Sequence, residues 1–252
     1  MSRHRLLAGL ALALGLAVLA TAPEPARAQQ LVADLSSHLV AVTTGFTGAN
    51  VLLFGAVEGE GDVVVVVRGP DEEVVVRHKD RIAGIYINRE RMTFPRVPSY
   101  YLVASNRPLD QIASPGEFAR QEIGLPALHL NPQGAHPPAL DAKFRAALIR
   151  NKMDEGLYSS GVAKVEFLGA RLFRVSVYFP SNVPIGTYQV QVYLFKNGVI
   201  SSAQTTPLVV SKIGLSADIY EYAHRDALAY GLIAVLLALA AGWAAGTFLR
   251  GA

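Results

Sequence analysis

"GDVVVVVRGPDEEVVVRHKDRIAGIYIN" (61–88) carries the reading of the fold. Val63 to Val67 show no alternation of apolar and polar residues. A strand of that composition needs cover on both faces, which places it centrally under a second layer. Left on an open edge it would invite aggregation, and Asp62, Arg68 and Asp71–Glu73 stand around it as charged gatekeepers. Arg68-Gly69-Pro70 then reads as a tight, solvated hairpin turn into the next valine run, Val74–Val76. The same stretch brings Arg68, Arg77, His78, Lys79 and Arg81 close in sequence. A phosphate cradle wants a glycine-rich loop that opens a helix, and this loop opens a strand. Arg68, Arg77, Lys79 and Arg81 are nonetheless the candidate ligand-binding residues.

Outward from this stretch, β-like runs continue on both sides: 38–44, 49–57, 62–69, 72–79, 83–90, 91–95 and 99–105. They are short, rich in Val, Ile, Tyr and Phe, and punctuated by Gly, Pro, Asp or Asn. That spacing predicts an immunoglobulin-like β-sandwich over 29–107. Over 108–160 the pattern changes to a helical, Pro-rich connection. "SPGEFARQEIG" (114–124) has an N-cap Ser114, Pro115 and a Gly124 stop, and "ALDAKFRAALIRNKMDEGLY" (139–158) carries one apolar stripe. A second β-rich region follows at 161–213. In "YQVQVYLF" Tyr188, Val190, Val192 and Leu194 share one face, and Asn197-Gly198 signals a two-residue turn. Four strands do not close a sandwich, so these are expected to pack on the helices or on the first sheet, or to form a two-sheet accessory domain.

Both ends are apolar. "MSRHRLLAGLALALGLAVLATAPEPARA" has Arg3 and Arg5 before a short apolar core and an Ala26-Arg27-Ala28 cleavage pattern. It reads as a signal peptide over 1–28. Residues 214–227 read as a juxtamembrane segment, 228–249 as one uncharged transmembrane helix, and 250–252 as a cytoplasmic tail. The fold class expected is therefore mainly β: a sandwich, a short helical insertion, further strands and one C-terminal transmembrane helix. Within that helix Ala234, Ala238, Gly242 and Gly246 recur every fourth residue and allow close helix–helix approach. The localisation expected is the bacterial inner membrane, single-pass, with the β-rich part in the periplasm.

Several chemistries have no signature. The chain of 252 residues has no cysteine. Its histidines, His4, His38, His78, His129, His136 and His224, include no helical ligand pair and no H-E-x-x-H. "YSSG" (158–161) lacks nucleophile-elbow spacing. No catalytic residue, metal ligand or cofactor is assigned. With Arg3, Arg5, Glu24, Arg27 and Arg250 set aside, Lys/Arg and Asp/Glu balance over 29–226. No basic face is indicated, which argues against nucleic acid or an anionic membrane surface as main partner.

The strings "GFTGANVLLFGA" (45–56), "VVVVRGP" (64–70), "RIAGIYINRE" (81–90), "FPRVPSYY" (94–101), "FPSNVPIGTYQVQVYLFKNG" (179–198) and "YGLIAVLLALAAGW" (230–243) resemble an uncharacterised alphaproteobacterial family, Alph_Pro_TM. Tyr86 stands where that family often has Trp. The resemblance implies an exported β-rich body with one C-terminal membrane helix, and it brings no activity and no catalytic residues. It also brings an anion exporter of the TauE/SafE type as a candidate partner. The function expected is a non-enzymatic interaction or accessory subunit in the membrane, working beside a transporter or itself. The alternative is a periplasmic anion- or glycan-binding module. An unrecognised hydrolase ranks third and requires His129, His136 and a carboxylate in one pocket.

Overall fold

A computed structural model describes residues 31–82, 85–214 and 223–250, without the side chains of 79–82, 85–89, 244 and 247–250. The signal-peptide reading, most of the juxtamembrane segment and residues 251–252 lie outside the described residues.

The chain is mainly β. Its strands are β1 (Leu31–Leu35), β2 (Leu39–Val42), β3 (Gly48–Val57), β4 (Asp62–Arg68), β5 (Asp71–Ile82), β6 (Ile85–Pro98), β7 (Tyr101–Ser105), β8 (Ala163–Lys164), β9 (Glu166–Leu168), β10 (Leu172–Pro180), β11 (Gly186–Lys196) and β12 (Val199–Lys212). A four-stranded sheet runs β1-β3-β10-β9 and a six-stranded sheet runs β2-β12-β11-β4-β7-β8. Strands β5 and β6 form a separate two-stranded ribbon.

Alternation explains the four-stranded sheet. In β10, Phe173, Val175, Val177 and Phe179 are buried while Arg174, Ser176 and Tyr178 face outward. One face is covered and the other is open, as an antiparallel sheet allows. The covered face meets the six-stranded sheet: Phe179 packs edge-on against Tyr188 at 5.6 Å and stacks on Tyr100 at 5.2 Å. Gln204 of β12 clips the layers together, accepting from the Ala33 N–H (2.9 Å) and donating to its carbonyl (2.6 Å). At Gly55 of β3 a Cβ would stand 2.5 Å from the Phe173 ring and from the Val32 carbonyl, so this position has no room for a side chain.

Strand β4 is buried end to end, with Val63 through Val67 all at 0% exposure. Cross-strand pairs share a face. Val63, Val65 and Val67 lie opposite Leu194, Val192 and Val190, towards the four-stranded sheet. Val64, Val66 and Arg68 lie opposite Tyr193, Gln191 and Gln189, on the outer face. That outer face is covered by the segment containing α1 (Pro115–Gln121) and α2 (Pro138–Asp154). Phe118 meets Phe195 there at 5.6 Å, and Tyr158 meets Tyr101 at 5.8 Å. Ser114 caps α1 through the Glu117 N–H, with Pro115 in the first turn.

The expected fold class is corrected on three points. First, there is no self-contained immunoglobulin-like sandwich followed by further strands. β3 pairs with β10, and β4 lies between β7 and β11, so both β-rich regions are woven into the same two sheets. Alternation fixes which face of a strand is covered and leaves its neighbour open. Second, Arg68-Gly69-Pro70 is not a hairpin turn. Strand β4 does not pair with β5, and the three residues carry the chain from the six-stranded sheet into the ribbon. Third, the expected transmembrane helix is not upheld. A helix, α3, runs Ala227–Arg250, but no helix among the described residues is long and apolar enough to cross a membrane. Its uninterrupted stretch of described side chains, Ala227–Trp243, rises about 25 Å against a hydrocarbon core of about 30 Å.

Candidate functional site

Arg68 closes β4 on the outer face, and its neighbours decide what it can do. Helix α1 ends at Gln121, and Glu122 takes a left-handed conformation (φ 51°, ψ 42°). A non-glycine residue pays about 1 kcal/mol or more for that geometry unless its surroundings hold it. Here they do. Arg68 Nη1 donates to Glu122 Oε2 at 2.6 Å, and Nη2 donates to the Gln121 carbonyl and to the Glu122 carbonyl (3.1 Å). The Tyr101 hydroxyl donates to the Glu122 carbonyl at 2.7 Å and accepts from the Gly124 N–H at 2.8 Å. On the other carboxylate oxygen, Oε1, the His129 N–H donates at 3.1 Å and His129 Nδ1 lies at 2.8 Å.

The Arg68–Glu122–His129 cluster lines one side of a cleft of about 540 Å³, within the usual size for a small-ligand site. Pro70, Asp71, Arg96 and Pro98 contribute the ribbon side of it, and Thr187 and Gln189 come from β11. Arg68 and Glu122 are only 19% and 26% exposed, so their pairing is stronger than that of a surface ion pair. Asp71, Arg96, Asn131, Thr187 and Gln189 also line the cleft.

The other sequence candidates separate. Arg77 is exposed on β5 opposite Arg91 and does not line the cleft. The side chains of Lys79 and Arg81 lie outside the described residues. His129 sits with Glu122, whereas His136 faces Asp141 at 3.7 Å, so the two histidines do not share a pocket. Among the described residues no three His, Cys, Asp or Glu are placed to hold a metal ion. Ala234, Ala238, Gly242 and Gly246 are exposed on α3, and a Cβ on either glycine would meet nothing within 4 Å. Glu122 and Arg96 were not singled out by the sequence. The stop expected at Gly124 falls two residues after the left-handed Glu122, and nothing local linked that glutamate to a β4 arginine 54 positions earlier.

Buried tyrosines pin the layers around the cleft. Tyr100 donates to the Tyr178 carbonyl (2.8 Å), Tyr158 to Pro98 (2.8 Å) and Tyr188 to Pro184 (2.6 Å). Burial raises all of their phenol pKa values, and that of Tyr101 is pushed up to about 12. These are protonated structural donors with carbonyl partners rather than poised acids. A second anchor, Lys152 of α2, is 7% exposed and pairs with Glu72 of β5.

Neither a curated protein nor a solved structure matches the chain. The family model described as "Putative transmembrane protein (Alph_Pro_TM)" matches residues 30–251. That match takes in every described strand and leaves out only residues 1–29 and Ala252, and by it the chain belongs to the Alph_Pro_TM family.

Proposed function

We propose that this protein is a non-enzymatic accessory subunit of a membrane assembly. It works at the bacterial inner membrane and presents its β-rich body on the periplasmic side to a partner such as a transporter. The observation that carries this reading is the surface of α3. Leu228 is 93% exposed, Leu232 64%, Leu237 66% and Trp243 75%, with no polar face among the described side chains of the helix to offset them. A helix that is apolar all round needs cover from lipid or from another apolar surface. The export-signal pattern at 1–28 supports the periplasmic side, and the small-residue row on α3 offers one side for close helix contact. Purification in mild detergent followed by mass spectrometry tests the reading. A partner recovered in fixed proportion is expected; a protein that runs reproducibly alone as a monomer overturns it.

A second reading, a ligand-binding module, draws on the cleft. Arg68 is already neutralised by Glu122, and the cleft is lined by one further guanidinium, Arg96, and one further carboxylate, Asp71. Balanced charge with free amide and hydroxyl groups suits a neutral, hydrogen-bonding ligand such as a glycan better than a bare anion. A thermal-shift comparison of maltose with inorganic phosphate checks it. Stabilisation by neither at millimolar concentration removes this reading.

A further inference from the structure

The four-stranded sheet packs one face on the six-stranded sheet and leaves the other open. Two rows of side chains run straight across the strands on that open face. One is Val32, Ala56, Leu172 and Leu168, and the next is Asp34, Phe54, Arg174 and Glu166. Leu52 and Tyr178 carry the face further along β3 and β10. Val32 is 50% exposed, Phe54 46%, Leu168 50% and Leu172 54%. Single apolar residues on a surface need no explanation, but a contiguous set beside charged groups marks a contact surface.

We infer that this face is the contact between two copies of the chain, laid sheet on sheet about a two-fold axis that runs along β3. In such a pairing β3 meets its own copy, and β10 of each chain meets β1 of the other. Phe54 then lies on the second copy's Phe54, Leu172 on its Val32 and Arg174 on its Asp34. Charge selects that axis. An axis between β3 and β10 would overlay all four strands, but it sets Asp34 on Glu166. An axis across the strands through Phe54 sets each charge on its own copy. Like charges brought together across an interface repel. Within one chain Asp34 uses Oδ1, for His38 (3.0 Å) and the Leu35 N–H (2.8 Å). Arg174 uses Nε and Nη2, for Glu166 (3.0 and 2.9 Å). Asp34 Oδ2 and Arg174 Nη1 are left to meet each other across the interface.

The area fits a modest interface. Along the strands the face runs from Asn50 to Ala56, about 20 Å. Strands β1, β3 and β10 overlap with their copies and β9 forms a rim, so the width is about 15–20 Å. Two copies thus hide roughly 600–800 Å² in plan, the size of a weak, reversible contact rather than an obligate dimer. The contact belongs to the β-rich body and does not depend on α3.

The chain has no cysteine, so single thiols are clean. Packed sheets lie about 10 Å apart, too far for a disulfide, so a short bismaleimide serves as the cross-linker. Full-length protein in mild detergent is used throughout. Leu52→Cys, on β3, is expected to give a covalent dimer by itself. Leu172→Cys is not, but an equal mixture of Leu172→Cys and Val32→Cys is. Val199→Cys, at the β11–β12 turn, is the control. Phe54→Lys in the Leu52→Cys chain sets two ammonium groups face to face and removes the central aromatic pair. It is expected to weaken the dimer by about 30-fold, as loss of a central anchor does, with the near-ultraviolet circular dichroism of the tyrosine core unchanged. Cross-linking at Leu52 no faster than at Val199 overturns the inference, even in a sample that α3 holds together as a dimer. So does cross-linking of Leu172→Cys by itself with none between Leu172→Cys and Val32→Cys. A Leu52→Cys thiol shielded from a simple maleimide in a chain that runs as a monomer overturns it too, because something other than a second copy then covers the face.

Discussion

Removing Arg68 tests whether the cleft is a tether or an open cation site. In Arg68→Ala the guanidinium contact to Glu122 at 2.6 Å and the contacts to two main-chain carbonyls disappear together. A charge-assisted contact is worth about 1.5–3 kcal/mol, and the two carbonyl contacts add about 1 kcal/mol, because those oxygens can regain water. Glu122 keeps His129 on Oε1 and is 26% exposed, so the full penalty of a stranded buried charge is not reached. The expected loss is about 3 kcal/mol. Arg68→Lys keeps the charge but loses the fork and should cost about half as much. Urea titrations in non-ionic detergent, followed by the near-ultraviolet circular dichroism of the tyrosine core, measure both. A cycle with Glu122→Gln should return a coupling of about 1–2 kcal/mol. A loss below about 0.5 kcal/mol in Arg68→Ala refutes the tether. So does stabilisation of the wild type, but not of Arg68→Ala, by phosphate, because Arg68 would then be free to bind an anion.

Other consequences can be measured in the same system. The buried phenols have folded pKa values above their unfolded value near 10. Their contribution is complete below pH 10 and is lost as pH rises through the folded values. For Tyr101 alone that is about 3 kcal/mol between pH 10 and 12, at about 1.4 kcal/mol per unit. Urea midpoints at pH 9, 10 and 11 should fall steeply over the last step, and Tyr158→Phe should flatten the fall; a midpoint unchanged to pH 11 contradicts it. Gly55→Val should prevent a folded sheet, since Phe173 and the Val32 carbonyl already occupy the space. Gly45→Ala, where nothing lies within 4 Å, is its control, and equal expression of soluble body from both would count against the packing argument. Glu72→Ala strands the 7%-exposed Lys152 and should cost about 3 kcal/mol, whereas Glu72→Ala with Lys152→Met should recover most of it; no recovery would mean that the pair is not what holds α2 to the ribbon.

What the sequence made legible was local. The unbroken Val63–Val67 run implied cover on two faces, and both covers exist: the four-stranded sheet and the α1–α2 segment. Ser114 and Pro115 marked the start of α1, and Asn197 and Gly198 take the positive φ values (52° and 80°) that their turn requires. Each of these signals is written in adjacent residues. The pairing of β4 with β11 and the meeting of Arg68 with Glu122 are not, because strands of similar alternation are interchangeable on paper. The runs at 83–90 and 91–95 read as two strands. In the fold Ile85–Pro98 is one strand, β6, with Glu90 and Arg91 exposed on it. The cleft was illegible for the same reason: its lining comes from β4, β11, the ribbon base and the loop after α1.

The position of β4 between β7 and β11 also sets an order of events. A chain delivered from its N-terminus presents five consecutive valines roughly 120 residues before β11 arrives to cover one edge. Over that interval the most aggregation-prone segment of the protein is a bare template for any passing strand. Delivery and completion of the fold are thus coupled. The half-emerged chain has a lifetime it must survive, and whatever shields Val63–Val67 during it is as necessary to the mature protein as the strands that finally replace that shield.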